Sequence, residues 1–345
     1  MIMSETTKCP MYEAKDYKSD QYVRWCPGCG DHAVVVTLQK AMAEIGIPPH
    51  QTAVISGIGC SSRLPYYMNT YGFHTIHGRG AAIATGVKTA NPELSVWLAS
   101  GDGDSLAIGG NHFIHAVRRN IDINAVLFNN LIYGLTKGQY SPTAARGFVS
   151  KSSPYGTVED PFIPAELVLG ARGNFFARAI DVDMKTLQEC FVASARHRGF
   201  AVTEVLVNCV IFNDGTHKNR SHKDIRADRT ITLRHGEKMI FGANRDKGIV
   251  LEGLKLRAVT IGEDGYTLDD VLVHDKYEQD VTLHHLLAMM GYTDDSMPIA
   301  LGVIRDVEAP CYDRAVEAQI EEIQQKNPIR KLHDLLIQGD VWEIK

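Results

Sequence analysis

Two short apolar runs with a helical pattern between them constrain the fold of this chain most. The first run, 96–99, ends in the polar turn 101–104 (GDGD), and the second, 125–128, ends at the asparagine pair 129–130. Between the runs, apolar residues recur at helical spacing over 108–117. Strand, helix and strand in this order form a βαβ unit with parallel strands and a right-handed crossover. The sequence therefore predicts an α/β fold with both polar turns at the carboxyl edge of a parallel sheet, where such sheets bind ligands.

The residues of these two turns suit a phosphate group held by a metal ion. Gly101 and Gly103 let the backbone approach an anion closely, and the N-terminus of the following helix offers free N–H groups. Asp102 alone would repel a phosphate, and a divalent cation between the two removes that conflict. Mg²⁺ takes oxygen ligands from protein and phosphate together. The predicted protein ligands are therefore Asp102, the side-chain oxygen of Asn130 and a nearby backbone carbonyl.

A longer string of motifs surrounds these turns. Asn130 follows Asp102 by 28 residues, as in the thiamine diphosphate–Mg²⁺ motif. The segment FHTIHGRG at 73–80 precedes the motif, and YGLTKGQYSPT at 133–143 follows it. Together these segments resemble the β subunit of the 2-oxoacid:ferredoxin oxidoreductases, and the 2-oxoglutarate branch most closely.

The resemblance implies a doubly wound, mostly parallel sheet of the thiamine diphosphate-binding (PP domain) type. Residues 22–212 are expected to form this domain, which would also hold an iron–sulfur cluster. Residues 1–21 are expected to form an N-terminal arm, and residues 213–345 an irregular C-terminal extension that packs on the core and on a partner subunit. Within the domain, the residue pattern itself predicts a helix that begins with Asp31 as N-cap and runs to about Ile45.

The resemblance also assigns residues to the cofactor and the substrate. The backbone carbonyl of Ile132 would complete the magnesium shell begun by Asp102 and Asn130. Lys137 and Gln139 are expected to lie near the substrate, with the Lys137 ammonium facing the second carboxylate of a dicarboxylic acid. The residues expected to contact thiamine diphosphate are His77, Gly78, Arg79, Gly101, Asp102, Gly103, Asp104, Asn130, Gly134, Leu135 and Thr136.

The seven cysteines are an odd number, which argues against a disulfide framework. Cys26 and Cys29 form a CxxC turn, which alone is also compatible with a zinc site or a redox dithiol. A zinc ribbon would usually show a second CxxC about 15–20 residues on, and none follows. Cys60 and Cys209 each come at the end of a predicted strand. By resemblance these four thiols bind a [4Fe–4S] cluster, whereas Cys190 is predicted to lie in the core.

Composition limits the partners and the location. The net charge of −5 argues against nucleic acid as the main partner. No apolar run is long enough to span a bilayer, and the first 20 residues lack the apolar core of a signal peptide. We therefore expect a cytoplasmic protein that does not enter a membrane.

The resemblance implies a reaction in which 2-oxoglutarate, coenzyme A and oxidised ferredoxin give succinyl-CoA, CO₂ and reduced ferredoxin, reversibly in principle. Its cofactors would be thiamine diphosphate, Mg²⁺ and one [4Fe–4S] cluster. No catalytic base is identified in this chain, and the activating Glu is expected on an α subunit that carries the pyrimidine-binding domain, in an α₂β₂ assembly. Two alternatives stay open: a pyruvate or broad-range 2-oxoacid enzyme of the same family, and a non-catalytic iron–sulfur or zinc-binding module.

Overall fold

The computed structural model describes residues 12–326 and 331–344. An eight-stranded sheet in the order β2-β1-β3-β4-β8-β7-β13-β9 runs through it, beside a three-stranded sheet β10-β11-β12 and a two-stranded ribbon β5-β6. The strands are β1 (Thr52–Ser56), β2 (Tyr71–His74), β3 (Ser95–Gly101), β4 (Ile123–Asn129), β5 (Ile132–Tyr133), β6 (Gln139–Tyr140), β7 (Phe175–Ile180), β8 (Phe200–Leu206), β9 (Thr230–Leu233), β10 (Ile240–Phe241), β11 (Lys247–Glu252), β12 (Lys255–Thr260) and β13 (Ile299–Asp306). The helices are α1 (Asp31–Ile45), α2 (Gly80–Ala90), α3 (Gly110–Arg119), α4 (Pro164–Gly170), α5 (Met184–Arg196), α6 (Lys218–Ser221), α7 (Arg226–Arg229), α8 (Thr282–Met289), α9 (Tyr312–Lys326) and α10 (Leu332–Leu336).

The central strands are apolar runs that are buried on both faces, as parallel strands covered by helices must be. Alternate residues of β3 enter two different core layers: Val96 and Leu98 pack on the side of α2, α3, α4 and α8, and Trp97 and Ala99 pack on the side of α1 and α5. Helices on both faces make the sheet doubly wound. The predicted fold class is confirmed.

The predicted βαβ unit forms, with one local difference. β3 and β4 pair in parallel, and Gly101 lies opposite Phe128 at their carboxyl ends. A π-helical turn, Asp104–Ile108, intervenes before α3 begins at Gly110. The two polar turns therefore lie side by side at the sheet edge.

The expected N-cap at Asp31 is wrong, although the helix itself has the predicted bounds. Gly30 occupies the N-cap position, and Asp31 is the first helical residue. The Asp31 side chain is buried, and neither of its oxygens has a hydrogen-bond partner. The local preference of Asp for caps yields here to the packing of the helix start against the sheet. The helix ends as expected at Gly46, which adopts a left-handed conformation with φ of 77°.

The segment 213–345 is more regular than the predicted extension. β13 joins the main sheet antiparallel to β7, and β9 pairs in parallel with β13. β10, β11 and β12 form a separate antiparallel sheet. The boundary predicted at residue 212 therefore falls inside a continuous structure, because two strands of the main sheet lie beyond it.

The predicted N-terminal arm is described only from residue 12 onward. Tyr17 is fully buried, and its hydroxyl donates to the carbonyl of Ile47 at 2.6 Å. Residues 14–17 form a 3₁₀ turn that packs on α1. This part of the arm thus belongs to the core. Within the described ranges, no helix combines the length and apolar character needed to cross a membrane.

Candidate functional site

A cavity opens where β1, β3 and β4 end. Most of the residues predicted for the cofactor line it, and the structure brings the GDGD turn, the asparagine turn and the histidine of the HGR segment to one place. The predicted residues on its wall are Cys60, His77, Gly101, Asp102, Gly103, Asp104, Asn130, Ile132, Gly134, Leu135 and Thr136.

Asp102 lies at the bottom of this cavity and is 2% exposed. Its Oδ2 accepts hydrogen bonds from the hydroxyls of Ser141 at 2.6 Å and Thr143 at 2.5 Å. Burial raises the pKa of Asp102 to about 6, although the two hydroxyls oppose that shift. A buried carboxylate of this kind is stabilised in its charged form by a nearby cation. The residue therefore fits the predicted role of metal ligand.

The turn after β4 is fixed by its own hydrogen bonds. The Asn130 side-chain oxygen accepts from the backbone N–H of Ile132 at 3.2 Å, and the Asn130 carbonyl accepts from the side chain of Asn213 at 3.0 Å. Leu131 between them has a φ of 57°. These two hydrogen bonds fix the turn, and the predicted metal ligands Asn130 and Ile132 both line the cavity.

Asp104 connects three segments of the site. Its Oδ1 accepts from the backbone N–H groups of Ile58 at 3.1 Å and Gly78 at 2.7 Å, and its Oδ2 accepts from the hydroxyl of Ser100 at 2.7 Å. This carboxylate holds the turn after β1 and the HGR segment against β3. These hydrogen bonds show that Asp104 organises the site. Its contact with the cofactor stays a prediction. Arg79 is exposed.

The KGQ segment lies at the mouth of the cavity. The Thr136 hydroxyl donates to the Gln139 side chain at 2.5 Å. Lys137 is exposed and holds a left-handed backbone conformation with φ of 77°. Thr136 lines the cavity, whereas Lys137 and Gln139 lie beside its wall. Their predicted substrate contacts stay predictions.

The four predicted cluster cysteines surround a second cavity. Cys26, Cys29, Cys60 and Cys209 all line it. Burial raises the pKa of the Cys60 thiol to about 12, and it also raises the pKa of Cys29. Thiolates here therefore need a compensating positive centre, which iron or zinc would supply. Across residues 12–326 and 331–344, no three Cys, His, Asp or Glu side chains converge closely enough to hold one metal ion.

The two cavities share a wall. Cys60, Asn130, Gly134 and Leu135 line both of them. A Cβ atom on Gly134 would lie 3.4 Å from the sulfur of Cys209 and 3.7 Å from that of Cys60. Glycine therefore keeps the space beside two of the cysteines open. Cys190 is fully buried in the core, as predicted.

Sequence reasoning missed several residues of the site. Ser141 and Thr143 belong to the recognised YGLTKGQYSPT segment, but nothing in the sequence links their hydroxyls to Asp102. Tyr133 donates to the carbonyl of Gly103 at 3.2 Å, and a Cβ on Gly103 would meet its ring at 2.2 Å. Asp31 lines the cofactor cavity, and burial raises its pKa to about 7. Its burial is a tertiary property that no local pattern reports.

Comparison with known proteins places this geometry in a family. The profile described as "Thiamine pyrophosphate enzyme, C-terminal TPP binding domain" matches residues 57–205. The 2-oxoglutarate oxidoreductase subunit KorB of Mycobacterium tuberculosis is 45% identical over 342 residues, which cover 98% of this chain and 90% of that protein. The chain belongs to the β subunits of the 2-oxoacid:ferredoxin oxidoreductases.

Two further relatives support the assignment of this chain to the β subunits of the 2-oxoacid:ferredoxin oxidoreductases. The 2-oxoglutarate synthase subunit KorB of Archaeoglobus fulgidus is 45% identical over 54% of this chain and 69% of that protein. The structure of a 2-oxoglutarate:ferredoxin oxidoreductase from Magnetococcus marinus, with 2-oxoglutarate, coenzyme A and succinyl-CoA bound, superimposes with a TM-score of 0.77 at 31% identity, over 99% of this chain and 100% of that one. The family predicted from the motifs is confirmed. The β-subunit chain carries a thiamine diphosphate-binding domain and is one subunit of a multi-subunit oxidoreductase.

Proposed function

We propose that this chain is the β subunit of a 2-oxoglutarate:ferredoxin oxidoreductase. The enzyme would convert 2-oxoglutarate and coenzyme A to succinyl-CoA and CO₂ and pass the electrons through a [4Fe–4S] cluster to ferredoxin, reversibly in principle. One observation carries the proposal: the cavity of the GDGD turn and the cavity of the four cysteines share a wall. Electron transfer from bound thiamine diphosphate to a cluster requires that the two sites be adjacent. A zinc-binding module has no such requirement.

The diphosphate side of the proposal rests on the chain's own groups. Asp102, Asn130 and the carbonyl of Ile132 would hold Mg²⁺, whose remaining ligands would be phosphate oxygens. Gly101 and Gly103 keep the backbone free of side chains where the diphosphate would approach. His77 lies on the cavity wall, and with Gly78 and Arg79 it would contact the diphosphate, as would Asp104, Gly134, Leu135 and Thr136. When bound, thiamine diphosphate supplies an electron sink for the carbanion that decarboxylation leaves behind.

The redox side rests on Cys26, Cys29, Cys60 and Cys209. Four thiolates around an open space fit a [4Fe–4S] cluster. Cys26 is exposed, whereas Cys29 and Cys60 are partly buried. The cluster would therefore have one edge toward the thiamine cavity, through Cys60, and another toward solvent, where ferredoxin would collect the electrons.

Substrate choice and assembly complete the proposal. The exposed Lys137 would face the distal carboxylate of 2-oxoglutarate, and Gln139 would support it from the same loop. The activating Glu would come from an α subunit with the pyrimidine-binding domain, in an α₂β₂ assembly. The enzyme would work in the cytoplasm, where coenzyme A and ferredoxin are available.

The experiment is anaerobic co-purification of the chain with its α subunit, followed by assays for iron, sulfide, zinc and thiamine diphosphate. We expect about four irons and one thiamine diphosphate per β chain, together with 2-oxoglutarate-dependent and CoA-dependent reduction of ferredoxin. Zinc without thiamine diphosphate would favour the binding-module alternative and reject the proposal. If pyruvate were turned over as fast as 2-oxoglutarate, the proposed cofactors would stand but the proposed substrate preference would be rejected.

A further inference from the structure

A buried ion pair lies on the two strands that neighbour β4 on one side, beneath the turn that holds Asn130. Arg178 on β7 and Glu204 on β8 are opposite each other in the sheet, both side chains are fully buried, and Nε of Arg178 donates to Oε2 of Glu204 at 2.6 Å. The other guanidinium nitrogens donate to the carbonyls of Ala300 at 3.4 Å and Ala288 at 3.2 Å. Removing two charges from water carries a desolvation penalty, and apolar residues of similar volume often stabilise a fold as well or better.

The second oxygen of Glu204 connects the pair to the end of β4. Oε1 of Glu204 accepts from the side-chain amide of Asn129 at 2.8 Å. Since only the NH₂ group of Asn129 can donate to a carboxylate, its amide oxygen must point the other way. That oxygen lies 3.1 Å from the hydroxyl of Thr143. Glu204 thus fixes the orientation of Asn129, the residue directly before the predicted metal ligand Asn130.

Thr143 completes the connection to Asp102. Its hydroxyl lies 2.5 Å from Oδ2 of Asp102, 3.1 Å from Oδ1 of Asn129 and 3.0 Å from the hydroxyl of Ser141. Its single proton is directed mainly to the nearer, charged oxygen of Asp102, and the Asn129 oxygen shares it as the weaker arm of a bifurcated contact. With Ser141 donating to the same Oδ2 at 2.6 Å, two side-chain hydroxyls meet one oxygen of Asp102 and hold the carboxylate in one orientation. Every member of the chain Arg178–Glu204–Asn129–Thr143–Asp102 is at least 95% buried.

We propose that Arg178, Glu204, Asn129 and Thr143 are positioning residues, which orient Asp102 for Mg²⁺ through this buried series of polar contacts. The inference rests on the proposed function, because it presumes that Asp102 binds Mg²⁺. Partners that hydrogen-bond to metal ligands orient those ligands, and their loss typically weakens metal affinity 10-fold to 100-fold. Asn129 has a further fixed point, because His217 lies with Nε2 at 2.9 Å from its carbonyl oxygen.

The test measures Mg²⁺ affinity directly, at saturating thiamine diphosphate, in the α–β complex after both have been removed by dialysis. Thr143→Val keeps the shape and removes the donor, and we expect Mg²⁺ to bind about 10-fold to 100-fold more weakly. Thr143→Ser restores a hydroxyl and should recover most of the affinity. Thr157→Val is the matched control. It removes another buried hydroxyl of the same loop, which donates to Ala145 and not to the chain, and it should leave Mg²⁺ affinity unchanged.

Glu204→Gln tests the far end of the chain. Gln can present its oxygen to only one of the two donors, so Asn129 or Arg178 loses its partner, and we expect a several-fold weaker Mg²⁺ affinity. If this variant fails to fold, the Mg²⁺ affinity of Thr143→Val is the measurement that tests the positioning role. Folded variants that bind Mg²⁺ as the parent does would overturn the positioning role. A parent complex in which thiamine diphosphate binds without any need for Mg²⁺ would instead reject the metal site of the proposed function.

Discussion

The cavity of the GDGD turn and the cavity of the cysteines share a wall but differ in how far the protein prepares them. Around Asp102 and Asp104, hydroxyls and backbone N–H groups already fix the carboxylate oxygens. Burial opposes the charged form of Cys29 and Cys60, and Arg63 on the wall of the cysteine cavity offsets this only partly at Cys60. The oxygens that would face the diphosphate and its metal ion are therefore held in place by the protein itself. The charged form of the buried cysteines, in contrast, depends on the positive charge that the cluster would bring.

The largest effect that this comparison predicts is at Cys60. Cys60→Ser replaces the one of the four predicted cluster thiols that lies on the shared wall, and we expect complete loss of ferredoxin reduction with most of the iron absent. Thiamine diphosphate binding should persist, because Asp102 and its partners do not use Cys60. The iron content and the equilibrium binding of thiamine diphosphate are measured on the same preparation, so that the loss of the cluster and the retention of the cofactor site are checked together.

The matched control for that substitution is Cys311→Ser, since Cys311 lies in the segment before α9, away from both cavities. Its iron content should equal that of the parent. If Cys60→Ser abolished thiamine diphosphate binding as well, the two cavities would not be separable in the way that their hydrogen bonds indicate.

The converse substitution is Asp102→Asn, and its expected effect is next in size. The amide keeps the volume but loses the charge that would hold the metal ion, so Mg²⁺ affinity should fall about 100-fold or more. The iron content should not change. Isothermal titration with Mg²⁺ in the presence of thiamine diphosphate measures the first quantity, and parent-like Mg²⁺ binding would remove Asp102 from the metal site.

We expect acid to lower the folding stability of the protein through protonation of His217, which lies next to the cavity of the GDGD turn. This side chain is buried behind the turn after β4 and contacts the carbonyl of Asn129, and burial lowers its pKa to about 4. The unfolded chain takes up this proton near pH 6.5, so folding stability due to neutral His217 is present above that pH and is lost as pH falls toward 4. The loss should reach on the order of 2–3 kcal/mol.

Thermal unfolding of the complex between pH 7 and pH 4 checks this prediction against His217→Gln, which keeps a donor for the Asn129 carbonyl and cannot be protonated in this range. The other groups that titrate there are common to both proteins, so the difference between the two curves isolates His217. Parallel curves would contradict the prediction.

The parts of the site that the sequence predicts are those with local signals. The apolar runs and the turns after them locate β3, β4 and the residues on the cavity wall. The start and stop signals at Asp31 and Gly46 give the bounds of α1. The Asp31 cap fails because a local preference says nothing about burial. Thr143 and Glu204 are invisible for a similar reason: each acquires its partner from a distant strand, at a contact that only the folded sheet creates. β9 and β13 belong to the same class, since these strands late in the chain gain their burial from pairing with β7 and with each other.

The smallest effect is predicted for Lys137, which lies at the mouth of the prepared cavity rather than inside it. A non-glycine residue in the left-handed region costs about 1–2 kcal/mol, so Lys137→Gly relieves backbone strain at φ of 77° and should not reduce stability. It removes one exposed ammonium. We therefore expect the preference for 2-oxoglutarate over pyruvate, expressed as the ratio of kcat/KM values, to fall about 10-fold, which corresponds to about 1.4 kcal/mol. Lys151→Gly removes an exposed cation from the neighbouring loop and should leave the ratio unchanged. An unchanged ratio in Lys137→Gly would assign substrate choice to the partner subunit, and the prepared cavity would then hold the cofactor without selecting the acid.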